Sequence, residues 1–341
     1  MLMLKNKIKS LFFADRLAPG FAEITIYLMI KCFRFHDIAS VFSKLRLVAT
    51  ILGPWLRRYY ASGSAQFLAE RICGVKVDDF EKKLITHRLM STYIRFYLKY
   101  QGWDNIRRLV ISSCSLDSPN AESAVGKLLL HTHTGDYWLS ILSCAMQFEG
   151  RNCEFIVPIY QEITSENKKM YEKISVPGMK VTFINIHSKG ALLKINRAMK
   201  DPHSVIAVFF DLSCYIAGVF NGSVNPHVIF KKNGYITLGM LSLARKYGIA
   251  VNFVSSEYSI SNGVFRVKIS DAYLKEHHSI LESEAINFFE RNLERNPWQW
   301  HFMSYIDTYY HYPFSDLQRF NNSVRFQYES LNRKYLKGGS N

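Results

Sequence analysis

The sequence predicts an α/β fold, a central and largely parallel sheet flanked by helices, with a helical N-terminal extension. Three observations predict it. Short β-rich runs alternate with stretches of helical periodicity from residue 127 onward, which is the pattern of parallel strands joined by crossover helices. The first 115 or so residues carry helical spacing and few turn signals. The chain of 341 residues is 48% hydrophobic and 21% charged, enough apolar side chain to fill a sizeable core.

Taken in chain order, helical patterns run over Val41 to Leu52, where Gly53-Pro54 interrupts, and over Val77 to Tyr100. In the second, Phe80, Leu84, Ile85, His87, Leu89, Tyr93, Phe96 and Leu98 recur at helical spacing. Lys82, Lys83, Arg88, Arg95 and Lys99 read as a solvated basic face. The polar run Ser112 to Asn120 is turn-prone and makes the best boundary between a helical region, 1–115, and an α/β region, 116–310. Beyond it strands are expected at Lys127 to Leu130, Cys153 to Val157, Lys180 to Ile184, Val205 to Phe210 and Ile249 to Phe253. Helices are expected between them, at Tyr137 to Phe148, Glu162 to Ile174, Ala191 to Met199 and Leu238 to Tyr247. A polar, basic tail, 311–341, closes the chain.

Forty-three basic against 28 acidic side chains give a net charge of +15, which implies an anionic partner. No nucleic-acid recognition motif accompanies that charge, which leaves an anionic membrane surface or a phosphate-bearing substrate. The six cysteines are scattered, with no C-x-x-C pair, so neither a disulfide framework nor a structural zinc site is expected, and a cytosol-facing location follows. Charges among the first sixteen residues break the apolar core a secretory signal needs, and the run Ile24 to Ile30 is too short to span a bilayer, so no transmembrane helix is expected. Phe12, Phe13, Phe21, Tyr27, Phe33 and Phe35 stand among Lys5, Lys7, Lys9, Arg16, Lys31 and Arg34. That composition suits a segment lying on an anionic membrane, and equally an amphipathic helix packed on the rest of the protein.

The most informative stretch is Leu128 to Trp138, where an apolar strand stops at His131, His133, Gly135 and Asp136 and a helical pattern begins. Proton-transfer groups at a strand end sit where α/β sheets keep their sites. One reading makes His131 or His133 a general base, with Asp136 fixing the imidazole after a turn at Gly135. Another makes the two histidines metal ligands. The carboxylate and third histidine that such binuclear sites place next are absent, however, since Gly135 and Asp136 stand there. A purely structural histidine pair is the third possibility.

With this stretch, the run around Asp211, Phe230 to Gly234 ahead of the helical Leu243 to Gly248, and Asn296-Pro297-Trp298-Gln299-Trp300, the chain resembles the lipid A biosynthesis (lauroyl/myristoyl-type) acyltransferases of the lysophospholipid acyltransferase superfamily. The resemblance covers about residues 80 to 305. It implies transfer of a fatty acyl group from an acyl carrier protein or coenzyme A thioester to a lipid or secondary-metabolite acceptor, at the cytoplasmic face of a bacterial inner membrane, with no cofactor or metal. It also implies a histidine and an acid in an H-x4-D/E motif. By spacing these are His131 and Asp136. By flanking pattern the base is His133, and the acid position is then filled by Trp138, which cannot orient an imidazolium. The resemblance further implies that Lys173, standing for an arginine, and Asp211 contribute to the substrate site. Lys231, Lys232, Asn233 and Gly234 read as a phosphate-binding loop at a helix start, and Pro297 to Trp300 as a structural closure of the core. A metal-dependent hydrolase and a non-catalytic basic membrane-binding protein are the alternatives.

Overall fold

The computed structural model describes residues 19–31, 37–117, 127–159, 163–186, 188–213 and 226–310. The predicted tail, 311–341, and the basic, aromatic residues before 19 and at 33–35 lie outside them. The fold is α/β, with a seven-stranded, mostly parallel sheet between two helical layers and a helical N-terminal segment.

The N-terminal segment comprises α1 (19–31), α2 (Ile38–Tyr59), α3 (Ser62–Leu68), α4 (Phe80–Tyr100) and α5 (Trp103–Ser113). Asp37 caps α2, accepting from the backbone N–H groups of Ala39 at 3.0 Å and Ser40 at 3.2 Å, which satisfies donors a helix start leaves unpaired. The helix continues through Gly53-Pro54 rather than breaking there. Its buried stripe of Leu45, Ala49, Gly53 and Leu56 crosses the proline while Pro54 itself stays on the exposed side, so packing outweighs the lost backbone bond. This helix, with mean hydropathy 1.2, is the one among the described residues long and apolar enough to cross a membrane. Val41, Phe42 and Leu45 pack it into the core, so no clear transmembrane span stands out.

The sheet is built from β1 (Cys114–Asp117), β2 (Leu128–His131), β3 (Cys153–Ile159), β4 (Met179–Asn185), β5 (Ser204–Phe209), β8 (Val251–Ser259) and β9 (Val264–Ile269), in the order β1-β9-β8-β2-β5-β3-β4. From β8 to β4 all neighbours are parallel, while β9 runs antiparallel to β8 and carries β1 beside it. Helices α6 (Tyr137–Met146), α7 (Ser165–Glu172) and α8 (Ala191–Lys200) link the parallel strands. A hairpin, β6 (His227–Ile229) with β7 (Lys232–Gly234), precedes α9 (Gly239–Tyr247), and α10 (Leu281–Arg295) follows the sheet.

Side-chain alternation along β2 divides the core. Leu129 faces a cluster shared with α1, α2, α4, α5 and α6, whereas Leu128 and Leu130 face one shared with α8, α9 and α10. Helices α1, α2, α5 and most of α4 therefore cover one face of the sheet, while α3 and the first turns of α4, through Ala65, Leu68, Phe80 and Leu84, reach the cluster on the other. The boundary expected at 115 falls inside β1, whose chain runs straight from α5 into the sheet. With both faces covered, the central strands read as continuous apolar runs, and all four β2 residues are buried. His131 lies opposite Phe209 of β5 and Val254 of β8, so the histidine motif opens at the carboxyl ends of the central strands.

Candidate active site

The turn that leaves β2 is pinned on three sides. Thr132 donates its backbone N–H to the Val254 carbonyl at 3.0 Å, and Ser256 donates its hydroxyl to the carbonyls of Thr134 at 2.9 Å and Asp136 at 3.2 Å. Gly135 has φ +60°, and a Cβ there would stand 2.5 Å from the Ser256 carbonyl oxygen. Only glycine gives both the left-handed backbone and this close approach.

The turn sends its two histidines to different places. His131 is fully buried, its Nδ1 is 3.0 Å from the Ser140 hydroxyl, and burial, with His133 adding to it, pushes its imidazole down to about 3. Such a group is neutral and a weak base near neutral pH. The expected His131–Asp136 pair does not form. Asp136 is itself sealed at 0% exposure and caps α6, accepting from the Leu139 N–H at 2.9 Å. Burial outweighs that bond and raises its carboxyl to about 7. Asp136 has been taken by the helix start, because the short turn aims it along the chain and not back toward either imidazole.

His133 finds its acid 78 residues away. Its Nδ1 is 2.7 Å from Asp211 Oδ1, and its backbone N–H donates to Oδ2 at 2.6 Å. Asp211, fully buried just past the end of β5, also accepts from the Trp300 indole N–H at 2.8 Å, while its own carbonyl accepts from the Tyr309 hydroxyl at 2.8 Å. Every partner of this carboxylate is a donor, so its position and direction are fixed. Nδ1 is then the donor of the imidazole, and Nε2 is left with the lone pair. The ring lies flat on Phe209 at 4.0 Å, with the edges of Phe302 at 5.0 Å and Tyr137 at 5.9 Å closing its sides. Its side chain remains 14% exposed, against none for Asp211.

The segment after α10 holds this pair from behind. Gln299 clamps Tyr258 of β8 by two hydrogen bonds, 2.6 Å from the Tyr258 N–H and 3.0 Å to its carbonyl, which sets Trp300 against Asp211. His301 donates its backbone N–H to the His133 carbonyl at 3.0 Å, and its Nε2 meets the Gly135 carbonyl at 3.0 Å. Arg88 of α4 donates to the carbonyls of Trp300 and His301. Desolvation lowers its guanidinium to about 10, still charged at neutral pH. Arg88 is thus a brace for the site and not part of a solvated face. His87 stacks edge-on against Trp298 at 5.8 Å and His301 at 5.4 Å, and burial pushes its imidazole down to about 3.

No protein-family model and no curated protein matches this chain. The site therefore rests on its own geometry. Among the described residues no group of three His, Cys, Asp or Glu side chains is arranged to hold a metal ion.

The remaining expected substrate residues lie elsewhere. Lys173, just past α7, donates to the Lys99 carbonyl near the end of α4. The expected phosphate loop is a hairpin: Phe230 and Lys231 take the left-handed turn, with φ +47° and +63°, and Lys232, Asn233 and Gly234 form β7, five residues ahead of α9. Its backbone is thus engaged in strand pairing, with the Phe230 N–H donated to the Glu290 carboxylate, and stands apart from a helix start. Lys232 sits over the Tyr310 ring, 5.7 Å from its centre. Gly234 is packed against the Tyr309 carbonyl, and Tyr309 in turn donates its hydroxyl to the Asp211 carbonyl, while Thr237 just beyond the hairpin donates to the Leu212 carbonyl.

Of the residues missed in sequence, His301 carried a signal, following directly on the Trp298-Gln299-Trp300 run. Trp300 itself was noted as core filling, yet it also supplies a hydrogen bond to the acid. Arg88 and Tyr309 gave no local sign.

Proposed function

We propose that His133 and Asp211 are the acid–base pair of an acyltransferase, which moves a fatty acyl group from an acyl carrier protein or coenzyme A thioester to a hydroxyl or amine of a lipid or lipid-like acceptor. The observation that carries this reading is the 2.7 Å contact between His133 Nδ1 and the buried Asp211 carboxylate, at the sheet end where the histidine remains partly exposed. The motif order that resembles the lipid A acyltransferases supplies the reaction class.

In this reading Nε2 of His133 takes the proton of the acceptor as its oxygen or nitrogen attacks the thioester carbonyl carbon. Asp211 holds the imidazole in the required tautomer and offsets the charge it gains. The tetrahedral intermediate collapses, the carbon–sulfur bond breaks, and the proton on Nε2 passes to the departing thiolate, leaving an ester or amide and a free thiol.

An anionic membrane is the proposed place of work, at the cytoplasmic face of a bacterial inner membrane. It is supported by Phe21, Ile24 and Leu28 exposed along α1, by Leu47 and Ile51 exposed along α2, and by Lys31, Arg57 and Arg58 near them in sequence.

The test is mass spectrometry of lipid and metabolite extracts from a bacterial host expressing the chain, against one expressing the His133→Ala, Asp211→Ala double variant. A species heavier by one fatty acyl unit, present only with the unaltered chain, is the expected result. An identical species at equal level with the double variant overturns the reading.

A further inference from the structure

A concavity with a volume of about 440 Å³ lies between the start of α4, the β8–β9 hairpin and the end of α10. The charged residues of its lining are mostly cations, Lys83, Arg266 and Arg295 against one carboxylate, Glu257. That carboxylate is already engaged, with Lys268 at 2.8 Å and Asn296 at 3.2 Å, and Arg266 follows at 3.9 Å. Among the described residues neither Lys83 nor Arg295 has an acidic side chain within ion-pair distance. The hydroxyls of Ser259 and Ser261, 3.1 Å from each other, stand on the same wall.

Unspent cations around a walled space, with hydroxyls beside them, make a site for an anion that offers several acceptor oxygens. Guanidinium groups favour the paired oxygens of phosphate, and the volume exceeds what a bare ion needs. We propose that this concavity binds a phosphate-bearing ligand, with Lys83 and Arg295 as its main charge contacts. It stands independently of the acid–base reading. The short segment from Arg295 to His301 nevertheless joins the two, since Arg295, Asn296 and Trp298 line the concavity while Trp300 and His301 hold Asp211 and the His133 turn.

The test is calorimetric titration of the full chain with glycerol phosphate, with succinate as a carboxylate control. Unaltered protein is expected to bind glycerol phosphate. The single variants Lys83→Gln and Arg295→Gln are each expected to weaken it about tenfold, the value of roughly one charge-assisted contact. His133→Ala is expected to bind as the unaltered chain does, which separates this site from the catalytic reading. Arg295 is exposed, so its variant keeps the fold even if Lys83→Gln does not. Phosphatidic acid vesicles that displace glycerol phosphate, where phosphatidylcholine vesicles do not, would identify a lipid headgroup, and failure of both to displace it would identify a soluble phosphate ester. Absence of binding, equal affinity for succinate, or affinity unchanged in both variants would overturn the proposal.

Discussion

His131 and His133 are separated by one residue, yet they occupy opposite environments. His131 ends its strand inside the core, beside Ser140, with its imidazole held neutral by burial. His133 lies past the strand end, partly exposed, with Asp211 behind its Nδ1. The two carboxylates differ in the same way. Asp136 is spent on a helix cap, whereas Asp211 has donors on both oxygens and an imidazole among them. The difference shows that residue type and spacing nominate acid–base groups, while exposure and the direction of the partner decide between them.

The largest expected effect that can break this comparison is at the acid. Asp211→Asn keeps the shape but can present its amide to Nδ1, favouring the wrong tautomer. Transfer should fall by about 10²- to 10⁴-fold, with thermal stability little changed, as initial rates beside melting curves would show. If Asp136→Asn loses as much activity instead, the roles of the two carboxylates are reversed.

A smaller loss is expected at Trp300. Trp300→Phe keeps a buried ring against Phe289 and Tyr309 but removes the 2.8 Å donor to Asp211. A fall of about tenfold in kcat follows, worth roughly 1.4 kcal/mol. An unchanged kcat would mean that the His133 contacts alone orient the acid.

His131→Phe should act on stability and not on rate. It leaves the Ser140 hydroxyl without its 3.0 Å partner but also removes the buried Nε2 that has none, so the two changes offset in part and the loss by denaturant titration should be about 1 kcal/mol or less. Activity per folded molecule should remain within a few-fold.

The remaining effect is one of pH, and it accumulates over several pH units. The Asp136 carboxyl is raised from 3.8 to about 7, so its contribution to stability is complete below pH 3.8 and is lost as pH rises through 7. His131 has the opposite sign: lowered from 6.5 to about 3, it favours the fold above pH 6.5 and loses that contribution as pH falls toward 3. Asp136→Asn retains a good capping residue. The stability of that variant relative to the unaltered chain should therefore climb between pH 4 and 7, by at most about 1.4 kcal/mol per pH unit, and level off above. Denaturant titrations at several pH values check this, and a flat difference would place a compensating charge beside Asp136.

The parallel part of the fold was legible because its strands are buried on both faces and its helices keep their period. All five expected strands form, shifted by at most a few residues except for β8, which runs on to Ser259. β9 is not among the expected strands although Val264 to Ile269 alternates, with Phe265, Val267 and Ile269 buried between partly exposed neighbours. β1 was hidden inside a run of turn-prone residues, and only its pairing with β9 makes it a strand. At the site, His133 and Asp211 were both candidates, but their pairing was not visible. The contact spans 78 residues and depends on β2 and β5 being neighbours, a fact of topology that local spacing does not carry. Lys231 and Lys232 looked like a phosphate loop because two lysines before glycine read alike in a loop and in a hairpin turn.

The most direct test compares His133→Ala with His131→Phe in one host, each expressed to the same level of soluble protein, with the acylated product quantified by mass spectrometry. The account predicts that the product disappears with His133→Ala and persists with His131→Phe. Product lost with His131→Phe and kept with His133→Ala would contradict it.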